Sequence, residues 1–121
     1  MPVRSLSSSV LKWPKREEVL QKLEAWAKEV MEQYSEIQCV GYLGSLARGD
    51  WGVGSDVDVV VVVNRKDREL HRRLFFSLLR LPVPVDLLLY GEEELKSPRL
   101  QRFLQGVIWL RKKEVGDEDL H

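Results

Sequence analysis

Three aspartates stand where hydrophobic strands begin. Asp56 and Asp58 head the run DVDVVVVV, and Asp86 stands near the head of VDLLLY. Residues two apart in a strand point to the same side, about 6.6 Å apart along the chain, so Asp56 and Asp58 share a face. Two like charges at the head of an apolar strand repel each other and lose hydration. A divalent cation offsets that most directly. If the strands of Asp58 and Asp86 are neighbours, all three carboxylates converge. Oxygen ligands with no His or Cys among them select Mg²⁺ or Mn²⁺ over zinc. One aspartate at a strand end is ordinarily a turn-former or a solvated edge residue, and a D-x-D pair alone is a weak signal. The pair together with Asp86 and the turn upstream of it is a specific one.

That turn is Gly44-Ser45, in GSLARGDWGVGSD. A strand that ends in glycine, then a small hydroxyl residue opening a helical turn, exposes backbone N–H groups at a helix N-terminus. This makes a phosphate seat, with the glycine allowing close approach and the Ser45 hydroxyl adding a donor. Arg48 lies on the same turn and can bring its guanidinium near the phosphates. In plainer terms, Gly44-Ser45 is a tight turn, Arg48 a surface ion-pair partner, and Gly49, Gly52 and Gly54 a flexible loop. There is no dinucleotide G-x-G-x-x-G and no G-x-x-x-x-G-K loop. Trp51 in the loop either stacks on a base or packs on the domain or on a partner.

The elements that must position these groups follow from periodicity. From Pro14 to Tyr34, apolar residues at Val19, Leu20, Leu23, Trp26, Ala27, Val30, Met31 and Tyr34 repeat at 3.6 residues. This predicts an amphipathic helix with Pro14 in its first turn and Trp26 and Met31 in the core. Residues 37–44 read as a strand, Ser45–Arg48 as a helical turn, and 56–63 as a strand buried on both faces and so central. Asn64 or Asp67 caps a helix whose stripe is Leu70, Leu74, Phe75, Leu78 and Leu79. LPVP ends it. VDLLLY is a third strand. Ser97-Pro98 opens a short helix carrying Leu100, Phe103 and Leu104, and VIWL forms a last, edge strand. The link between the first two strands is too short for a parallel crossover, so the sheet is mixed. The fold class is α/β (α+β): a small mixed sheet of about four strands with helices packed on it.

The chain has 121 residues, with 44% hydrophobic residues and 19 basic against 19 acidic side chains. That is one domain. We expect a flexible arm over 1–13, the functional domain over 14–112 and a solvated tail over 113–121. Zero net charge argues against nucleic acid as a direct substrate, since such binders carry a basic excess. It leaves room for a nucleotide. The single cysteine, Cys39, excludes an internal disulfide and a Cys-rich zinc site and fits a cytoplasmic setting. It reads as a small buried hydrophobe in a strand. No apolar run approaches the roughly 18 residues of a membrane span. His71, among Arg and Leu on a helix, reads as a solvated or capping residue.

GSLARGDWGVGSDVDVVV resembles the G-S-x-A-R-G…S-D-x-D signature of the nucleotidyltransferase superfamily typified by DNA polymerase β. The short chain is similar to its minimal nucleotidyltransferases (the MNT group), over about residues 15–112. The resemblance implies a polymerase β-like core with Gly44 and Ser45 holding the β- and γ-phosphates of a nucleoside triphosphate. It implies that Asp56 and Asp58 ligate two Mg²⁺ ions (or Mn²⁺) and that Asp86 completes the ion that activates the attacking hydroxyl. Arg48 matches the signature arginine. Ser55 either bonds to the phosphates or shapes the turn. Larger relatives carry further domains for DNA, RNA or an antibiotic. In the MNT group the usual partner is a small all-helical HEPN protein, a ribonuclease-type toxin. The resemblance thus implies an antitoxin that transfers AMP from ATP to a partner hydroxyl, a tyrosine by the group's pattern. The alternatives are an antitoxin that works by binding alone, and a transferase for a small-molecule hydroxyl with a pocket built by a homodimer. Either a homo- or a hetero-oligomer is compatible with the sequence.

Overall fold

The helix that the 3.6-residue repeat predicts runs from Arg16 to Gln33 (α1) and buries Val19, Leu23, Trp26, Ala27 and Val30. Pro14 lies just before it, and the Glu18 carboxylate accepts the Lys15 backbone N–H at its start. The structure, a computed structural model, describes residues 13–113. The expected arm and tail lie outside them except at their inner ends. Trp13 packs against the core. Lys113 donates its backbone N–H to Gln38 at 2.6 Å.

After α1 come β1 (Ile37–Leu43), α2 (Ser45–Arg48), β2 (Val57–Val63), α3 (Arg68–Leu78) and β3 (Val85–Gly91). A 3₁₀ turn (Glu92–Lys96), α4 (Pro98–Leu104) and β4 (Ile108–Lys112) follow within the described residues. The four strands lie in the order β3-β2-β1-β4. β1 pairs antiparallel with both β2 and β4, and β2 pairs parallel with β3. The sheet is therefore mixed, with α3 as the crossover that a parallel neighbour requires. The valine run is interior, and β4 is an edge, as the sequence predicts.

Side chains alternate across a strand. Val57, Val59, Val61 and Val63 join Leu23, Trp26, Leu74 and Leu78 in the main core, between the sheet and helices α1 and α3. Val60 and Val62 face the other way and are also buried. A Cβ on Gly41, which pairs with Val60, would fall 2.6 Å from Val107 Cγ1 and 2.7 Å from Trp109 Cε3. Asp58 and Asp86 share this second face.

Some expected core positions are not core. The buried stripe of α3 is Leu70, Leu74 and Leu78 alone. Phe75 is half-buried, and Leu79, the C-cap, is 54% exposed. Each lies one residue, about 100° of helix, past a stripe position. In α4 no residue is buried, and Phe103, 45% exposed, packs edge-on with Tyr90, the ring centroids 6.4 Å apart. Cys39 is half-buried, paired with Val62 on the second face. Burial chiefly pushes its thiol pKa up, against the pull of Lys112.

Candidate active site

β1 delivers the chain to Gly44, whose backbone sits at φ 87°, ψ −153°. That region is essentially glycine's alone. The missing side chain matters as much as the freedom. A Cβ on Gly44 would stand 2.8 Å from Asp58 Oδ2. The turn backbone therefore lies directly against the carboxylate of the neighbouring strand.

From Gly44 the chain makes one turn of helix. Ala47 and Arg48 donate their N–H groups to the Gly44 carbonyl at 3.0 and 2.9 Å. Gly49, at φ 90°, ends the turn in the left-handed region, with its N–H on the Ser45 carbonyl. Leu46 is fully buried and pins the turn to the core. Arg16 of α1 holds it from outside, donating Nε–H to the Leu46 carbonyl at 3.1 Å.

The loop from Gly49 to Asp56 has two anchors. Trp51 packs against the core and donates Nε1–H to the Pro14 carbonyl at 2.9 Å. Of the readings offered for it, packing on the domain is the one seen. Gly52 donates its N–H to Ser55 Oγ at 3.1 Å, and Ser55 donates its N–H back to the Gly52 carbonyl at 3.0 Å. Ser55 thus shapes the turn that aims Asp56.

Asp58 and Asp86 are register partners across the parallel β2–β3 pair, and Asp58 is also opposite Leu43 of β1. Asp58 is half-buried, while Asp56 and Asp86 are exposed. Burial raises the Asp58 pKa above the usual carboxylate value. Repulsion from Asp56 and from Asp86 adds to this, and Arg48 opposes it. The three carboxylates and Arg48 therefore form one electrostatic cluster. Arg48 itself pairs with Asp50 at 3.3 Å, both largely exposed, a weak contact that leaves the guanidinium able to turn.

Whether this set fits a metal can be judged from its donors. All are hard carboxylate oxygens, two of them held in register on one face, with Asp56 and Asp86 each repelling Asp58. That chemistry suits Mg²⁺ or Mn²⁺. The cage is not closed. Among the described residues, no three carboxylate, imidazole or thiolate groups are gathered closely enough to enclose an ion. Asp56 and Asp86 are exposed and can change rotamer, and Mg²⁺ is ordinarily held by one or two carboxylates plus phosphate and water oxygens.

Arg16 had no signal in the sequence. A guanidinium on a main-chain carbonyl 30 residues away leaves no spacing rule to read. His71 is exposed, as expected. No helix among the described residues is long and apolar enough to cross a membrane.

Comparisons with known proteins agree with this geometry. The chain is similar in fold to a Sulfolobus solfataricus protein whose assignment as a nucleotidyltransferase is itself provisional. The TM-score is 0.60 at 22% identity, over 84% of this chain and 86% of that one. It is also similar to a toxin–antitoxin structure with AMP-PNP, with a TM-score of 0.57 at 22% identity over 78% and 77% of the two chains. A third similarity is to a toxin–antitoxin pair, MntA-HpeT, carrying two Asp-to-Glu substitutions. There the TM-score is 0.54 at 18% identity over 81% and 76%. No functionally curated protein matches the chain. The profile of the nucleotidyltransferase domain matches residues 15–113, which spans every element from α1 to β4, and the chain belongs to that family.

Proposed function

We propose that the protein is a Mg²⁺-dependent nucleotidyltransferase that moves AMP from ATP to a hydroxyl of a partner protein. We take the partner to be a small helical HEPN-type toxin, which this cytoplasmic antitoxin neutralises. The catalytic unit is residues 14–112. The observation that carries the reading is the placement of Asp58, in register with Asp86 and pressed against the side-chain-free backbone of Gly44. In this reading a phosphate-accepting turn and a carboxylate cluster make up one site. Support for the toxin–antitoxin setting comes from the neighbours. One was crystallised with AMP-PNP, and another carries Asp-to-Glu changes two residues apart, the spacing of Asp56 and Asp58.

In this reading the α2 turn and the Ser45 hydroxyl receive the β- and γ-phosphates. Asp56 and Asp58 would hold two Mg²⁺ ions, with Asp86 completing the ion on the acceptor side. Ions bound there supply Lewis-acid stabilisation of the entering and departing oxygens. The chain's own residues position and neutralise. Arg48 swings from Asp50 to the triphosphate. Ser55 fixes the loop so that Asp56 faces the cluster. The Gly44 backbone keeps Asp58 from turning away. The acceptor oxygen forms a bond to the α-phosphorus, and the bond from that phosphorus to the β-bridging oxygen breaks. Pyrophosphate leaves, and the hydroxyl proton passes to water. Among the described residues Asp86 is exposed, and in this reading a partner brings the hydroxyl into line there.

The test is intact-mass measurement on the cognate helical partner after incubation with the protein, Mg²⁺ and ATP. The reading predicts an AMP adduct that is absent with Asp56→Ala or EDTA. Full neutralisation of the partner by both wild type and Asp56→Ala, with no adduct, would establish the binding-only antitoxin instead.

A further inference from the structure

Among the described residues the sheet has two unpaired edges, and they differ. β4 ends in Arg111 and Lys112, followed by Lys113, charges of the kind that keep an edge strand from pairing with other chains. β3 has seven residues, no Lys, no Arg and no proline within it, and a single charge, Asp86. Its ladder to β2 is regular from Val57↔Val85 to Val63↔Gly91.

The direction of its free hydrogen-bonding groups can be derived. Val57 donates its N–H to the Pro84 carbonyl at 3.0 Å. In a parallel ladder a residue bonds to the two residues flanking its partner. Asp86, Leu88 and Tyr90 therefore turn their N–H and C=O groups to β2. Val85, Leu87 and Leu89 turn theirs outward. Gly91 also faces out, and its N–H is taken by the Glu94 carboxylate at 2.8 Å. No backbone bond from outside the ladder reaches Val85, Leu87 or Leu89 among the described residues.

We infer that this edge of β3 is where the acceptor protein docks, as an added strand that carries its hydroxyl residue beside Asp86. The inference rests on the transferase reading for the hydroxyl, and on the edge itself for the docking. Two considerations on the molecule set the occupant. The head of the edge is negative, with Asp56, Asp58 and Asp86 against Arg48 alone in the cluster. A segment carrying Lys or Arg next to its hydroxyl residue complements that. A second copy of this chain does not. Antiparallel self-pairing centred on Leu87 would set the two Asp86 side chains diagonally, about 7–8 Å apart, and bring both acidic clusters together. The occupant is therefore a different protein, and if it is helical the segment is a loop or tail outside its helices: extended, apolar, with a basic residue beside a Ser, Thr or Tyr. Main-chain bonds along the edge supply affinity, and the side chains on one face supply selectivity.

The probe is a synthetic peptide of alternating valine and threonine with a central tyrosine and lysines at both ends. It is added at millimolar concentration to the whole chain, without metal or ATP. Amide exchange is read residue by residue by NMR. The expected result is slowed exchange, by roughly tenfold or more, at Leu87 and at Val85 or Leu89. Asp86, Leu88 and Tyr90, already bonded to β2, stay unchanged. A peptide N-methylated at every second residue should lose the effect. Leu87→Pro should lose it too while keeping the β2 ladder, and if that variant does not fold the methylated peptide decides. Unchanged exchange at Leu87, or protection confined to Ile108–Lys112, overturns the inference. Because metal and nucleotide are absent, protection at Leu87 in a protein that transfers no AMP would leave the edge standing and remove only the transferase reading.

Discussion

Asp58 and Asp86 stand opposite each other across the parallel β2–β3 pair, and the Asp58 carboxylate lies against the bare Cα of Gly44. Two strands and a turn from three stretches of sequence thus meet at one carboxylate. The arrangement raises the pKa of Asp58, by burial first and by its acidic neighbours second. A fold kept only for stability has no need of such repulsion.

Asp58→Asn should fold and lose nucleotide transfer. It removes the charge that Asp56 and Asp86 repel, so its thermal stability without Mg²⁺ should equal or exceed that of the wild type. With Mg-ATP at one hundred times its dissociation constant, the wild type should gain about 2.7 kcal/mol by linkage. The variant should gain much less. Thermal melts with and without Mg-ATP check both halves. Equal gains would place the nucleotide elsewhere.

The pH dependence carries a defined sign. The folded pKa of Asp58 lies above its unfolded value, so its protonation favours the folded state. That contribution is fully present below the unfolded pKa, near 3.8. It is lost as pH rises through the raised folded value. Other carboxylates have the opposite slope; Glu69, paired with Arg73 and Arg72, has a lowered pKa. The difference between wild type and Asp58→Asn isolates the effect. In metal-free buffer the wild type should lose stability relative to the variant as pH rises out of the acidic range. A flat difference would show that Asp58 is unstrained.

Gly44→Ala tests the turn. A Cβ at a φ of 87° is strained, and here it would also fall 2.8 Å from Asp58 Oδ2. The strain costs about 1–3 kcal/mol. Urea denaturation should show that loss, and Mg-ATP should stabilise the variant less than the wild type.

Much of this was legible in the sequence because the signals were local. The valine run announced a central strand, Asp67 and Ser97-Pro98 announced helix starts, and both caps form, with side chains on the Leu70 and Leu100 N–H groups. The convergence of Asp86 with Asp58 needed one further fact, that their strands are neighbours, and a sequence states this only as a condition. What stayed hidden was contact between distant segments. Arg16 on the Leu46 carbonyl and Trp51 on the Pro14 carbonyl follow from tertiary placement that no periodicity encodes. The overlong stripe of α3 and the thin cover over α4 have a simpler cause. Hydrophobic type marks which residues can be buried, and the width of the contact decides which are.

Trp51→Phe should separate packing from tethering. The ring still fits the core, but the bond to the Pro14 carbonyl is gone. The expected stability loss is about 0.5–1.5 kcal/mol, seen in urea denaturation. The loop of Asp56 loses an anchor, so amide exchange from Gly49 to Ser55 should quicken while the β2 ladder stays protected.

The claim on which the rest depends is that the α2 turn and the three aspartates form one metal–nucleotide site. Crystals grown with Mn²⁺ and a non-hydrolysable ATP analogue test it directly through the anomalous signal of manganese. The account predicts two peaks about 3.5–4 Å apart among Asp56, Asp58 and Asp86, with Asp56 and Asp86 rotated inward. The triphosphate should lie on Gly44 and Ser45. Manganese bound away from these aspartates, or a triphosphate seated with no contact to the Gly44–Arg48 turn, would contradict it.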